Sequence, residues 1–321
     1  MQPRHFAHRI VGTVLVTGGI LAVFWLLSGT ASGGIKTFSA FFLSQLKALF
    51  LPLIVGFALF SLLEWHAPAG PRKSFKDAIL ACQIIIAYVF AGSCAGFVGS
   101  YLASALRDHF RLGWIDLRFI SGKGVLAVSA SALVSTLAFD FVAYWYHRLQ
   151  HTVPFLWQIH KLHHMDQQLD VLTSSRQNWI EDFVRIPLLT IPLTILYKLD
   201  ARQASIAGIF VGFMLISWVI FQHCNIRVHL GWATVVFNGP QYHRIHHSRL
   251  PEHVNRNFAG AFPILDVLFG TYYHPARDEF PPTGVDGEVD VQSLAQASAL
   301  PFLEWWRMLR GRLKSHSASV P

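Results

Sequence analysis

The sequence predicts an all-α integral-membrane helical bundle of about 4–6 spans, with a histidine-rich region gathered at one membrane face. Three observations predict it. Charged side chains are scarce, 14% of 321 residues, where an ordinary soluble domain carries about 25%. Long charge-free runs recur along the chain. Histidines are concentrated, with twelve of the 17 lying between His147 and His274. The low charge argues against a purely soluble enzyme. The 53% hydrophobic content excludes a disordered chain, since there is ample apolar surface to order it. Three cysteines are too few, and odd in number, for a disulfide-built scaffold.

The spans follow in order. No charged residue interrupts the 26 positions between Arg9 and Lys36, and Ile10 to Leu27 reads as the first helix. Its apolar stretch is too long for a secretory signal, and more spans follow. Ala48 to Leu63, extended through Phe41 to Lys47, reads as the next. Ala78 to Leu106 fills a 29-residue gap between Asp77 and Arg107. Gly124 to Phe139 becomes a full span if it admits Asp140. Phe183 to Leu199 is weaker, because it holds Arg185, Lys198, Pro187 and Pro192, and Ala204 to Phe221 is the last. About 20 apolar residues cross a hydrocarbon core of about 30 Å. The Lys/Arg count of the short loops favours a cytoplasmic N-terminus. Arg107 to Lys123 runs against that count, and its Phe110, Trp114 and Phe119 suit a segment lying along the interface.

The net charge of +8 sits in loops beside apolar spans, without an aromatic-interleaved stripe. It suits anionic lipid headgroups better than nucleic acid. At the C-terminus Phe302, Trp305, Trp306, Leu309 and Leu313 recur at helical spacing among Arg307, Arg310, Arg312 and Lys314. That is the pattern of an interfacial amphipathic helix, or of one that docks a partner. These features divide the chain into N-terminal spans (1–120), a histidine-rich region with further membrane segments (121–275), and an acidic linker with the amphipathic helix (276–321).

The histidines fall into boxes: His147-x3-His151, His160-x2-His163-His164, and His243-x2-His246-His247, with His223 and His229 between the last two. Residues three and four apart share a helix face, so each triplet fans over an arc of about 100°. Several neutral imidazoles can then converge on a metal, and imidazole suits Zn, Cu, Fe and Ni. Asp140, Tyr144, His147 and His151 follow i, i+4, i+7, i+11 at the end of a membrane helix. A carboxylate at such a place is costly, and Asp140 is positioned to accept the second ring N–H of a ligating histidine. Two apolar segments separate the second and third boxes, so all boxes return to the same face.

Other chemistries drop out. No His-Glu-x-x-His, Glu-x-x-His or Gly-x-Ser-x-Gly occurs, which excludes zincin proteases, carboxylate-rich di-iron bundles and the nucleophile elbow. Gly122-Lys123-Gly124 follows no strand, so it makes no dinucleotide fingerprint. Cys224, beside His223, reads as a small buried residue rather than a thiolate ligand.

The segment from Asp140 to His164, "DFVAYWYHRLQHTVPFLWQIHKLHH", resembles the membrane-bound fatty acid hydroxylase / sterol desaturase superfamily. "SSRQNWIEDF" resembles the stretch after that family's second box, and the chain from Phe221 to Pro275 resembles its third-box region. The resemblance covers about Asp140 to His274. It implies an all-α membrane fold with a histidine-rich cap on the cytoplasmic side. It also implies a non-haem centre of two Fe ions that uses O2 on unactivated C–H bonds of lipids, by hydroxylation or desaturation. By motif the metal ligands are His147, His151, His160, His163, His164, His243, His246 and His247, with His223 a ninth. Asn257, Asp266 and Trp157 match family flanks as supporting or packing residues, and Asp140 and Tyr144 would stand behind the ligands. His229, His253 and His274 are left outside the set. Members of the family act on sterols, fatty acyl chains, ether lipids and carotenoids.

The chain carries no flavin, haem or nicotinamide motif, so electrons would come from a separate donor protein of ferredoxin or cytochrome type. Arg148, Lys161, Arg244 and Arg249 are the basic residues that would dock it. Two rival readings have different signatures. A histidine-rich metal transporter or sensor places ligands along a path inside its spans, and a haem electron-transfer module needs about two axial histidines per haem.

Overall fold

The computed structural model describes residues 39–40, 42–43, 55–113, 115–116, 125–191, 197–198 and 216–317. The regular structure among the described residues is helical apart from a two-residue parallel ladder of Ile115–Asp116 with Tyr197–Lys198 and two isolated bridges, Pro68 with Ile226 and Ser248 with Thr283. The helices that position the site are α1 (55–66), α2 (Phe75–Phe110), α3 (Val125–Thr152), α4 (Pro154–His164), α5 (Glu181–Arg185), α6 (216–223), α7 (Pro240–His246), α8 (Ile264–Phe269) and α9 (Leu294–Ser317). Among the described residues, α2 is the one helix long and apolar enough to cross a membrane. It contains the expected span Ala78 to Leu106, and α3 contains Gly124 to Phe139 from Val125 onward. The span Ile10 to Leu27, most of Ala204 to Phe221, and most of the Arg107 to Lys123 loop beyond Gly113 lie outside the described residues.

Local chemistry sets the helix ends. Ser74 caps α2 by accepting the Asp77 N–H at 3.2 Å, and Arg111 closes it in the left-handed region. Pro154 and Pro240 each open a helix at its first position, where a missing N–H costs nothing. Pro154 also divides α3 from α4, so the first two histidine boxes fall on separate, packed helices. Gly270, at φ +73°, ends α8.

Packing brings α4 to the centre of the histidine-bearing helices. Leu162 and Met165 join Ile84 of α2 and Ala297 and Leu300 of α9 in one apolar cluster. A second cluster ties Ile220 and Cys224, at the end of α6, to Val171, with Phe57 and Phe60 of α1 against it. The close approach of α5 to α2 depends on glycine. A Cβ on Gly92 would run into the Asp182 carboxylate of α5, and one on Gly99 into Ile186 just beyond it.

The first half of α9 is part of this core, with Ala297, Ser298 and Ala299 buried. Trp305 stacks on Phe155 at 4.2 Å and donates its ring N–H to the Phe155 carbonyl. Beyond it Trp306 and Leu309 stay exposed. The amphipathic C-terminal pattern is therefore shared between docking on α4 and an outward face.

Candidate metal centre

The nine histidines singled out in the sequence converge on one another in two groups. His147, His151, His160, His164 and His246 form one, and His163, His223, His243 and His247 form the other. Helical angles explain the division. On α4, His160 and His164 are about 40° apart and share the first group, while His163 is turned by about 100° from His164 into the second. At the third box the assignment inverts: His243 and His247 enter the second group and His246 the first. Each of these two segments therefore straddles both groups, which lie side by side with the His164 and His247 rings stacked at 4.3 Å.

The donor atoms fit metal ions. Nε2 of His147 lies 3.1 Å from Nε2 of His160, which lies 3.2 Å from Nε2 of His164. In the second group the spacings are 3.2 Å from His163 to His223, 2.9 Å from His223 to His243, and 3.1 Å from His243 to His247. Two nitrogens about 2.1 Å from one ion, at right angles, lie about 3.0 Å apart. Backbone carbonyls fix three of the tautomers. His147 donates its Nδ1–H to Phe258 O at 2.8 Å, His223 to Val219 O at 2.6 Å, and His246 to Arg256 O at 2.9 Å. Their Nε2 lone pairs therefore face inward. Nε2 of His246 and of His151 is buried with no hydrogen-bonding partner, which fits these atoms for metal ligation.

Protonation does not relieve this crowding. Burial first, and neighbouring imidazoles second, hold His151, His160, His163, His164, His243, His246 and His247 well below the usual imidazole range. Burial also pushes His223 down to about 4. A set of neutral, buried, convergent imidazoles suits divalent transition metals.

Two carboxylates brace the loop that orients His147. Asp266, fully buried, accepts from Phe258 N, Ala259 N, the Tyr242 hydroxyl and the Thr271 hydroxyl, all at 2.6–2.8 Å. Asp140 accepts from the N–H groups of Gly260, Ala261 and Phe262 at 3.1, 3.0 and 2.8 Å. This corrects the expectation that Asp140 receives a histidine N–H. Three consecutive loop amides, rather than a histidine ring, are the donors to this carboxylate, and Phe258 O takes the His147 ring N–H instead. The Tyr144 hydroxyl pairs with the Thr271 hydroxyl at 2.7 Å, one step further from the ligands. Asn257, in the left-handed region, ties Tyr242 O, Tyr273 O and Tyr273 N together. Trp157 packs 5.1 Å from the His151 ring.

The remaining candidates lie elsewhere. His229 pairs with Gln241, His274 with Tyr272, and His253 is held between Ser248 and Glu279. Cys224 donates to Ile220 O inside the α6 cluster. Two basic residues expected at a docking surface are interior. Lys161 is buried and paired with Glu288 at 2.9 Å, and Arg244 is buried against Pro281 O. Arg148 is half-buried and donates to the Tyr144 hydroxyl and Phe269 O, which leaves Arg249 as the exposed one.

Glu181 was not singled out by its spacing, although an acidic residue opening an apolar stretch is a visible cue. It is buried, accepts from Tyr146 OH at 2.9 Å and Gln150 Nε2 at 2.5 Å, and keeps its second oxygen without a partner. Burial pushes its carboxyl from the ordinary 4.5 up to about 7. The folded protein thus holds this proton more tightly than the unfolded chain does, so its contribution is greatest at low pH and declines as pH rises from 4.5 through 7. Glu181→Gln is expected to remove that decline and to stabilise the protein above neutrality by up to about 3 kcal/mol. Melting temperatures of both proteins between about pH 5 and 8 check it. Parallel curves would contradict it.

Residues 132–271, which include all nine histidines, match the Fatty acid hydroxylase family model. The chain is 33% identical over 163 residues to ornithine lipid hydroxylase OlsE of Rhizobium tropici, covering 51% of this chain and 47% of that protein. It is 30% identical over 225 residues to alkylglycerol monooxygenase of Danio rerio, covering 69% and 46%. A very-long-chain aldehyde decarbonylase of Oryza sativa subsp. japonica is 25% identical over 185 residues, covering 54% and 28%. The chain spans about half the length, or less, of these curated relatives. No solved structure matches it.

Proposed function

Because residues 132–271 make this chain a member of the fatty acid hydroxylase superfamily, we propose that it is an O2-dependent membrane oxidoreductase that hydroxylates an unactivated C–H position of a lipid. Its fold is a multi-pass bundle of about 4–6 spans, with the histidine cap on the cytoplasmic side. The observation that carries this reading is the pair of adjacent, convergent imidazole groups, five and four. The matched relatives named as a hydroxylase and a monooxygenase support the reaction class.

The two histidine groups would each hold an iron ion, and the bound irons would supply the O2 reduction and C–H cleavage that no side chain performs. The protein's own work is positional. Phe258, Val219 and Arg256 carbonyls lock three ligand tautomers. Asp266 and Asp140 hold the loop that presents Phe258 O, and burial keeps the imidazoles neutral and dry. The overall reaction takes R–H, O2, two electrons and two protons to R–OH and water. The electrons come from a separate ferredoxin- or cytochrome-type donor, for which the exposed Arg249 is a docking contact. Desaturation is the alternative outcome at the same centre.

Comparative lipidomics under isotopically labelled O2, with metal analysis of the purified protein, tests this. The expected result is about two irons per chain, no Soret band, and label in a lipid hydroxyl only when the protein is present. Stoichiometric zinc with metal-dependent flux and no O2 consumption would overturn it.

A further inference from the structure

The five-histidine group has an apolar side, and that side leads to the surface. The Phe258 ring, 1% exposed, lies 5.7, 5.2 and 5.7 Å from the rings of His147, His151 and His246. Phe258 packs on Tyr144 at 6.2 Å, and Tyr144 on the half-buried Phe269 at 5.3 Å. Phe269 in turn meets the exposed Trp145 at 4.8 Å and the exposed Phe141 at 6.2 Å. Among the described residues, the rings around the four-histidine group are all histidines. The aromatic approach therefore serves one group and not the other.

The surface at the outer end of this row is continuous with an exposed apolar stripe on α3. Leu133, Leu137, Phe141, Trp145 and Leu149 recur every four residues on α3 and are each between 37% and 53% exposed. The stripe starts inside the charge-free run 124–139 and climbs about 24 Å without a charge, to the level of His147 and His151. Ile264, Val267 and Leu268 of α8 are exposed as well, on the helix whose Phe269 reaches the stripe. Arg148 does not interrupt the stripe, because its guanidinium turns inward to Phe269 O and lies 5.4 Å over the Trp145 ring. An uncharged face of this kind, rising from a run that the sequence reads as a span, suits contact with hydrocarbon.

Resting on the lipid-oxidising reading above, we propose that an alkyl chain of a bilayer lipid enters between α3 and α8. Phe269 is the gate, and Phe258 is the wall that places the chain against the five-histidine group. The two phenylalanines are built differently for these tasks. Phe258 is pinned on both sides, its N–H by Asp266 at 2.8 Å and its carbonyl by His147 at 2.8 Å. Phe269 is the last residue of α8, before Gly270, whose surroundings are open within 4 Å. Its ring is half-buried and meets the exposed rings of Trp145 and Phe141 on its outer side.

The test needs no turnover. The full-length protein, loaded with zinc, is placed in phosphatidylcholine vesicles bearing a diazirine on the acyl chain, irradiated, and mapped by peptide mass spectrometry. Adducts are expected on Leu268 and on Phe258. Phe269→Trp should lose the Phe258 adduct and keep that on Leu268, while Phe269→Ala should increase the former; unchanged metal content shows that both variants are folded. Wild-type labelling of Leu268 without Phe258, or a Phe258 adduct indifferent to Phe269→Trp, overturns the route. Protection of Leu268 in a protein that runs as a dimer overturns it too, by assigning the face to a second copy. Because zinc protein is used, failure here leaves the oxidative chemistry untouched. Conversely, labelled Phe258 without any O2-dependent product would keep the route and remove the oxidation.

Discussion

His160→Ala is expected to reduce product formation at least about a thousand-fold, since in the proposed reaction the chemistry belongs to the metal rather than to side chains. His160 is the sharpest place to look. Its Nε2 lies within 3.2 Å of both His147 and His164, so its loss removes the nitrogen that links the other two. The same substitution should lower the metal content of the five-histidine group while leaving the other group loaded. Steady-state product formation with metal analysis reads both effects. An enzyme that retained its activity after His160→Ala would remove the five-histidine group from the reaction.

Asp266→Ala is expected to carry the largest stability cost, about 4 kcal/mol or more. Each buried donor left without a partner costs about 1–3 kcal/mol, and the change strands Phe258 N, Ala259 N, Tyr242 OH and Thr271 Oγ1 together. These terms do not add fully, because the loop can rearrange toward water. Asp266→Asn keeps the shape and two acceptor lone pairs, so it should cost distinctly less. The consequence reaches the metal centre, since a loosened Phe258 carbonyl frees the His147 ring to turn. Urea or thermal unfolding of both variants, beside metal retention, checks the prediction. Equal stability of Asp266→Ala and the parent would contradict it.

The boxes were legible because i, i+3 and i+4 positions share a helix face, whatever the surrounding fold. The membership of each group was not. It depends on how α4 and the third-box segment cross, a tertiary angle that sends His163 one way and His246 the other. His223 lies in no box, and it entered through family resemblance alone. Carbonyl partners leave no mark in a sequence, so the tethers at Phe258, Val219 and Arg256 were invisible. For the same reason Asp140 looked like a histidine partner: its position along α3 was plain, but the three amides opposite it belong to a loop about 120 residues away. Lys161 and Arg244 misled because charge suggests surface, whereas each finds its partners in a distant C-terminal segment. The expected span within α2 and the helical nature of the cap needed only charge-free length and periodicity.

Metal stoichiometry in group-specific variants tests the two-group centre most directly. Iron-reconstituted wild-type protein should hold about two ions per chain. His151→Ala/His246→Ala, which strips the five-histidine group, should leave one, and His223→Ala/His243→Ala should leave the other. One ion in the wild type, or an unchanged pair in both double variants, would contradict the account.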